Sequence, residues 1–412
     1  MKKYLFIIAM LFPIMLHAQK NWQWRGENRN GIYNETGLLK SWPSGGPQLL
    51  WKYEGLGEGH TSVAIANGKV YNTGMHGDRL ILYVFDMAGK LLTKKDIGKE
   101  WDKNHNGTRS SVCINDGKLY IFSGLGILYC LDETSLNEVW KKDILKEYGG
   151  KNLQFGITEN PLIVGEKIFI TPGGVKHGMV ALNKNTGALI WSSPGTGKMS
   201  SYCSPLYIGD QSIPMVVTCF EGEKLHGRVQ NNMIVAFNAD TGEMLWKHPQ
   251  PSENDINPNI PIYSDGMIFS ITGYRGGAWL FRLKNGGKTA ELVWHNSEMD
   301  NQMGSAIKVG DYVYASGHQN RNWFCVDWKT GKTRYKVRDI GRANVIFADG
   351  MLYVYDEDKG TMNLVKPNPE KFELAGSFKV TLGTGPHWAH PVIHNGVLYI
   401  RHGDAMMAYK IQ

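Results

Sequence analysis

The stretch Ser62-Val-Ala-Ile-Ala-Asn-Gly-Lys-Val-Tyr71 decides the fold. A short apolar run meets an Asn-Gly pair, and a second short run ends on Tyr. Asn-Gly between apolar runs marks a tight hairpin, because both turn positions need positive φ. The pattern returns at Ser111–Tyr120, Asn160–Phe169, Pro261–Phe269, Ser305–Tyr314, Asn344–Tyr353 and His390–Tyr399, and less cleanly from Ser204 to Val217. The turn glycines are Gly68, Gly117, Gly165, Gly209, Gly266, Gly310, Gly350 and Gly396. A second pattern follows most copies: an acid or amide, a turn, then a strand tipped by an aromatic residue. Asn183–Trp191 and Asn238–Trp246 show it most clearly, and Asp132–Trp140 and Asp327–Tyr335 are variants.

Each unit therefore offers four short strands at a spacing of about 40–57 residues, which predicts propeller blades rather than helical repeats. The eighth copy stops after its third strand, Met406-Met-Ala-Tyr-Lys410. The segment Gln48-Leu-Leu-Trp51-Lys-Tyr-Glu54 has the character of the missing fourth. The reading is an all-β, eight-bladed propeller over 48–412, its last blade closed by the N-terminal strand, which leaves no open sheet edge. Residues 1–18 are expected to be a signal peptide and 19–47 an N-terminal extension. Two stacked β-sandwiches are the alternative.

Composition agrees. Of 412 residues 49 are Gly, 42% are hydrophobic, 11% aromatic and 20% charged. That aromatic content excludes a disordered chain, and the Gly content argues against a helical bundle. Lys2 and Lys3, the apolar run Tyr4–Leu16 and the small residue Ala18 form a secretory pattern with cleavage expected near Ala18. No other stretch has the length of a membrane span. A periplasmic or secreted product, soluble and monomeric, is expected. The formal charge of +7 is mild for this length, and there is no dense Lys/Arg run of the nucleic-acid-binding type.

These repeats resemble the quinoprotein alcohol dehydrogenase-like superfamily, and within it the PQQ-like repeat proteins. The opening Trp22-Gln-Trp24-Arg25-Gly26, Lys40-Ser-Trp-Pro-Ser-Gly-Gly-Pro-Gln48 and Trp388-Ala-His-Pro391 are similar to an exported subgroup. The resemblance implies a fold shared by PQQ dehydrogenases, polymer-degrading enzymes and an outer-membrane assembly scaffold, with PQQ and calcium as the cofactors of the first. The adjacent Cys pair of those dehydrogenases is absent. So is the lipid-attachment Cys of the scaffold.

Propeller geometry places the starts of the inner strands, and the loops between second and third strands, around the central channel. His60, Arg109, Glu159, Tyr202, Arg342 and Trp388 stand at such starts, with His387 and His390 beside Trp388. These eight are the candidate ligand-binding residues, and His60, Arg109, Glu159 and Tyr202 the catalytic candidates. Glu159, one blade from Arg109, reads as an ionised carboxylate for a ligand, calcium or a proton, or as a structural ion pair. The tripeptide His-Gly-Asp occurs twice, as His76-Gly77-Asp78 and His402-Gly403-Asp404, in blades that closure makes neighbours. Its His and Asp residues are candidate metal ligands or solvent-facing relics of the repeat. The long loop from Glu221 to Asn232, with Glu223, Lys224, His226 and Arg228, reads as a rim, a lid or a solvated insertion. Cys203 and Cys219 read either as a cross-strand disulfide or as two buried thiols.

The expected function is binding of a small molecule or glycan at the channel face, with oxidoreductase-like activity implied by the resemblance. A lyase or hydrolase on an acidic polysaccharide, and a non-catalytic scaffold for envelope proteins, are the alternatives.

Overall fold

A computed structural model describes residues 22–222 and 232–412, with the backbone of 224–225 and 228–229 between them. The expected signal peptide and the candidate loop residues Glu223 and His226 lie outside the described residues.

Eight four-stranded antiparallel blades follow one another along the chain, forming a β-propeller, and the sheet of blade 7 gains a fifth, parallel strand from the N-terminal segment. Blade 1 comprises Ala64–Ala66, Lys69–His76, Arg79–Asp86 and Leu91–Lys99, from the inner strand outward. The inner strands of blades 2–6 are Cys113–Asn115, Leu162–Val164, Leu206–Ile208, Ile262–Ser264 and Ile307–Val309. Those of blades 7 and 8 are Ala343–Ala348 and Val392–His394. The only α-helix among the described residues is the five-residue Ile144–Tyr148. At the Asn67-Gly68 turn both residues have positive φ, 51° and 70°, as a two-residue type I′ hairpin requires.

Closure is as the sequence predicts. Gln48–Glu54 pairs antiparallel with Ala405–Lys410 and supplies the outer strand of blade 8. Trp residues on the outer strands of blades 2, 3, 5 and 8 clasp those blades to the next. The indole Nε1 of Trp140 donates to the Lys184 carbonyl at 3.0 Å, that of Trp191 to Ala239 at 3.1 Å and that of Trp294 to Trp328 at 2.9 Å. Trp51, on the closing strand, donates to the Met87 carbonyl of blade 1 at 3.1 Å, so the clasp passes through the seam. Each of these indoles lies over a turn glycine of the following blade. A Cβ on Gly242, whose φ is +78°, would stand 2.5 Å from the Trp191 ring. Both the close approach and the left-handed backbone demand glycine there.

The N-terminal extension runs into the channel. Trp22 exchanges two backbone hydrogen bonds with Ile114 of blade 2, both 2.8 Å. Arg25 and Arg29 follow, both almost fully buried. The Arg25 guanidinium donates to the carbonyls of Val345 in blade 7 and Ala306 in blade 6, each at 3.2 Å, and to His390 Nδ1 in blade 8 at 3.1 Å. Arg29 donates to the carbonyls of Pro161 at 2.8 Å and Asn160 at 2.9 Å in blade 3. Ile32–Tyr33 then pairs parallel with Phe347–Ala348. Beyond it, Glu35 accepts from the turn amides of Asn395 and Gly396 at 2.8 and 3.0 Å, and Trp42 packs on Tyr353 and Phe378. The segment thus passes from the channel beneath blades 7 and 8 to become the closing strand.

Replacing Trp191 with Ala removes a buried indole, its hydrogen bond and the cover over Gly242. The expected loss of stability is about 3–5 kcal/mol, read by urea unfolding.

Candidate functional site

The starts of the inner strands, and the loops between second and third strands of blades 5 to 7, enclose a cavity of about 360 Å³. All eight blades contribute to its wall, and Trp24 of the N-terminal segment lines it too. The structure brings His60, Arg109, Tyr202, Arg342, Trp388 and His390 to this one cavity, six of the eight ligand-binding residues expected from the sequence. Glu159 and His387 are not among its lining residues.

One side of the wall is an aromatic arc. The Trp388 ring lies 4.8 Å from His60 and 5.0 Å from His105. His105 lies 5.6 Å from Phe155, and Phe155 6.2 Å from Tyr202. Trp24 meets His390 edge-on at 5.0 Å, and Tyr274 meets His318 at 4.7 Å. Three of these residues, from three different blades, have left-handed backbones: His105 at φ 49°, Tyr202 at 65° and Tyr274 at 52°. Bulky residues adopt this conformation at a cost of about 1–3 kcal/mol, and it concentrates where a site fixes their direction.

Sequence reasoning missed Trp24, His105, Phe155, Tyr274 and His318. His105 and Phe155 precede their inner strands by several residues. Tyr274 and His318 sit in loops between second and third strands, and could have been found by reading blades 5 and 6 as blades 1 and 8 were read.

The charges are arranged unevenly. Arg342 donates to Asp358 Oδ1 at 2.6 Å and lies 3.5 Å from Glu357, whose Oε1 accepts from Trp388 Nε1 at 2.6 Å. Arg109 donates to the backbone carbonyls of Asn104, at 2.9 Å, and His105. Burial pulls its pKa down to about 10, which leaves it a cation at neutral pH. Burial, then Arg109, holds His60 well below the usual histidine range, and neither ring nitrogen has a protein partner. His318 is held at about 4, first by burial and then by Arg342. His390 is lowered by burial and by Arg25. Because guanidinium only donates, His390 Nδ1 accepts.

Glu159 corrects an expectation. Rather than an ionised partner of Arg109, it is buried and accepts the Thr171 amide at 3.1 and 3.2 Å. Burial pushes its carboxyl well above the usual range, and the cation acting on it is Arg29. His387 stacks on His402 at 3.7 Å, and its Nδ1 is 2.5 Å from the Tyr355 hydroxyl. Both ring nitrogens of His402 lie 2.7 Å from carbonyls, those of Leu382 and Gly385. His76 bonds the Tyr83 hydroxyl at 2.7 Å, Asp78 lies 3.4 Å from Lys99, and Asp404 accepts from Thr384 at 3.0 Å. Among the described residues, no three His, Cys, Asp or Glu side chains are grouped to hold a metal.

Cys203 and Cys219 are free and buried. The hairpin pairs Leu206 with Val217, a register that does not set Cys203 directly opposite Cys219. Among the described residues the wall has a single carboxylate, Glu357, already engaged by Trp388 and Arg342, so they do not supply the donors for calcium-assisted PQQ binding.

A family model described as "Outer membrane protein assembly factor BamB" matches residues 77–260 and 126–368. The chain belongs to this PQQ-like repeat family. It is 24% identical over 156 residues to the quinoprotein ethanol dehydrogenase of Pseudomonas aeruginosa, covering 36% of this chain and 24% of that protein. It is 26% identical over 243 residues to the outer membrane protein assembly factor BamB of Shewanella oneidensis, covering 55% of each. The chain thus spans between about a quarter and just over half of these two relatives. Among solved structures, BamB from Moraxella catarrhalis superimposes with a TM-score of 0.63 at 15% identity, over 89% of this chain and 98% of that one. A quinohemoprotein alcohol dehydrogenase from Pseudomonas putida gives 0.68 at 14%, over 95% and 80%. These likenesses establish the shared fold of the PQQ-like family.

Glu100 carries a pH prediction. It lies behind the wall, accepting the amides of Trp101 at 2.7 Å and Gly124 at 2.6 Å, and burial pushes its carboxyl from an ordinary 4.5 up to about 7. The folded state therefore binds this proton more tightly than the unfolded state. The contribution is fully present below pH 4.5 and is lost as pH rises through about 7. Glu100→Gln keeps the acceptor oxygen and removes the titration. Its stability relative to the parent should rise by about 2–3 kcal/mol from acid to mildly alkaline pH, read by urea unfolding.

Proposed function

We propose that this chain is an exported PQQ-like propeller that binds a saccharide-sized organic ligand in the cavity at the mouth of its channel. The strained aromatic wall carries this reading: His105, Tyr202 and Tyr274 hold left-handed backbones in one cavity, and the Trp388 ring lies 5.0 Å from His105. Such faces receive sugar rings or other flat apolar surfaces, and the cavity volume lies within the range of small-ligand sites. His60, which lines the same cavity, is held neutral by burial and by Arg109. Elimination from a bound acidic sugar, read as new unsaturated ends by ultraviolet absorbance, is the activity to look for.

The match to a family model named for outer-membrane protein assembly favours a second reading, a scaffold for envelope proteins. The two part on one residue. Calorimetric titration with a panel of neutral and acidic oligosaccharides should give saturable binding that Trp388→Ala weakens at least tenfold. A scaffold predicts no binding across the panel, and full complementation of a deletion strain by the same variant.

A further inference from the structure

The two guanidinium groups on the cavity wall differ in what surrounds them. Arg342 is neutralised by Asp358 at 2.6 Å and Glu357 at 3.5 Å. Arg109 has no carboxylate within 4.0 Å among the described residues; its guanidinium donates to two backbone carbonyls, and its Nε is buried without a partner. Glu100, the acid that acts on it most strongly, spends Oε1 on two backbone amides. Among the described residues the wall therefore carries one guanidinium with no carboxylate paired to it, on the blade that also supplies His105 to the aromatic arc. A partly desolvated cation without a counter-charge is costly, and an anion seated on it relieves the cost.

We propose that Arg109 is the anion anchor of this cavity and that the ligand is a carboxylated sugar of the uronate class. The planar guanidinium fork matches a carboxylate edge to edge. The rings of Trp388, His105 and Phe155 offer the face on which the attached pyranose stacks. A single uncompensated charge selects one carboxylate rather than a polyanion. This inference rests on the ligand-binding reading and names the chemistry of its ligand.

Digalacturonate and its methyl ester differ in charge and little else, so calorimetry with the pair isolates the anchor. The parent should bind the acid at least tenfold more tightly than the ester. Arg109→Gln should bring acid affinity down to that of the ester, with the urea unfolding midpoint of the same variant reporting an intact fold. Arg109→Lys should keep part of the preference. Equal binding of acid and ester by the parent, or an acid preference that survives Arg109→Gln, overturns the anchor and leaves the cavity reading standing. Failure of the parent to bind either form overturns both.

Discussion

Two buried guanidinium groups hold the middle of this molecule together. Inner strands of a propeller leave carbonyls facing the channel, where a wide ring has no further strand to satisfy them. Arg25 reaches carbonyls of blades 6 and 7 and the imidazole of blade 8, while Arg29 takes two carbonyls of blade 3 across the ring. Hydrogen bonds from a charged donor contribute about 1.5–3 kcal/mol each. Several together offset the several kcal/mol that burying the ion costs. Burial lowers each pKa to about 10, so both stay charged at neutral pH. The segment that carries them closes the channel beneath the cavity and sets Trp24 into its wall.

The periphery is held by a different device. The Trp clasps of blades 2, 3, 5 and 8 each use one donor and one flat face, and each needs a glycine in the next blade to receive it. Because Trp51 on the N-terminal strand makes the same contact with Met87 and Gly89 as the internal Trp residues make with their neighbours, the seam is built as the boundaries after blades 2, 3 and 5 are. The chain thus secures its ring twice, with apolar clasps outside and cationic forks inside, and the cavity lies between these rigid parts.

The outer device was legible in the sequence because it repeats. Periodic Asn-Gly and Asp-Gly turns and Trp tips gave the blades, their number and the closing strand, and propeller geometry then placed six of the eight candidate residues at one cavity. What could not be read was everything aperiodic. Trp22 to Gly31 matches no blade, and its partners are mostly backbone carbonyls more than a hundred residues away. Glu159 sits beside a wall position, yet its side chain turns to Thr171 in its own blade. The paired His-Gly-Asp tripeptides are true repeats, but their side chains have separate local partners: His402 lies against the Leu382 and Gly385 carbonyls, and His76 against the Tyr83 hydroxyl.

The claim on which the rest turns is that the N-terminal segment is built into the channel. Hydrogen exchange of the peptide spanning 22–33 tests it most directly. The amide of Trp22 donates to Ile114, that of Gly26 to Gln23 and that of Gly31 to Arg25, all within the ring. These amides should exchange as slowly as those of the inner strands, since opening them requires opening the channel. Exchange at the rate of an unstructured peptide would contradict the account, because the cavity would then lose its Trp24 wall and the inner carbonyls their donors.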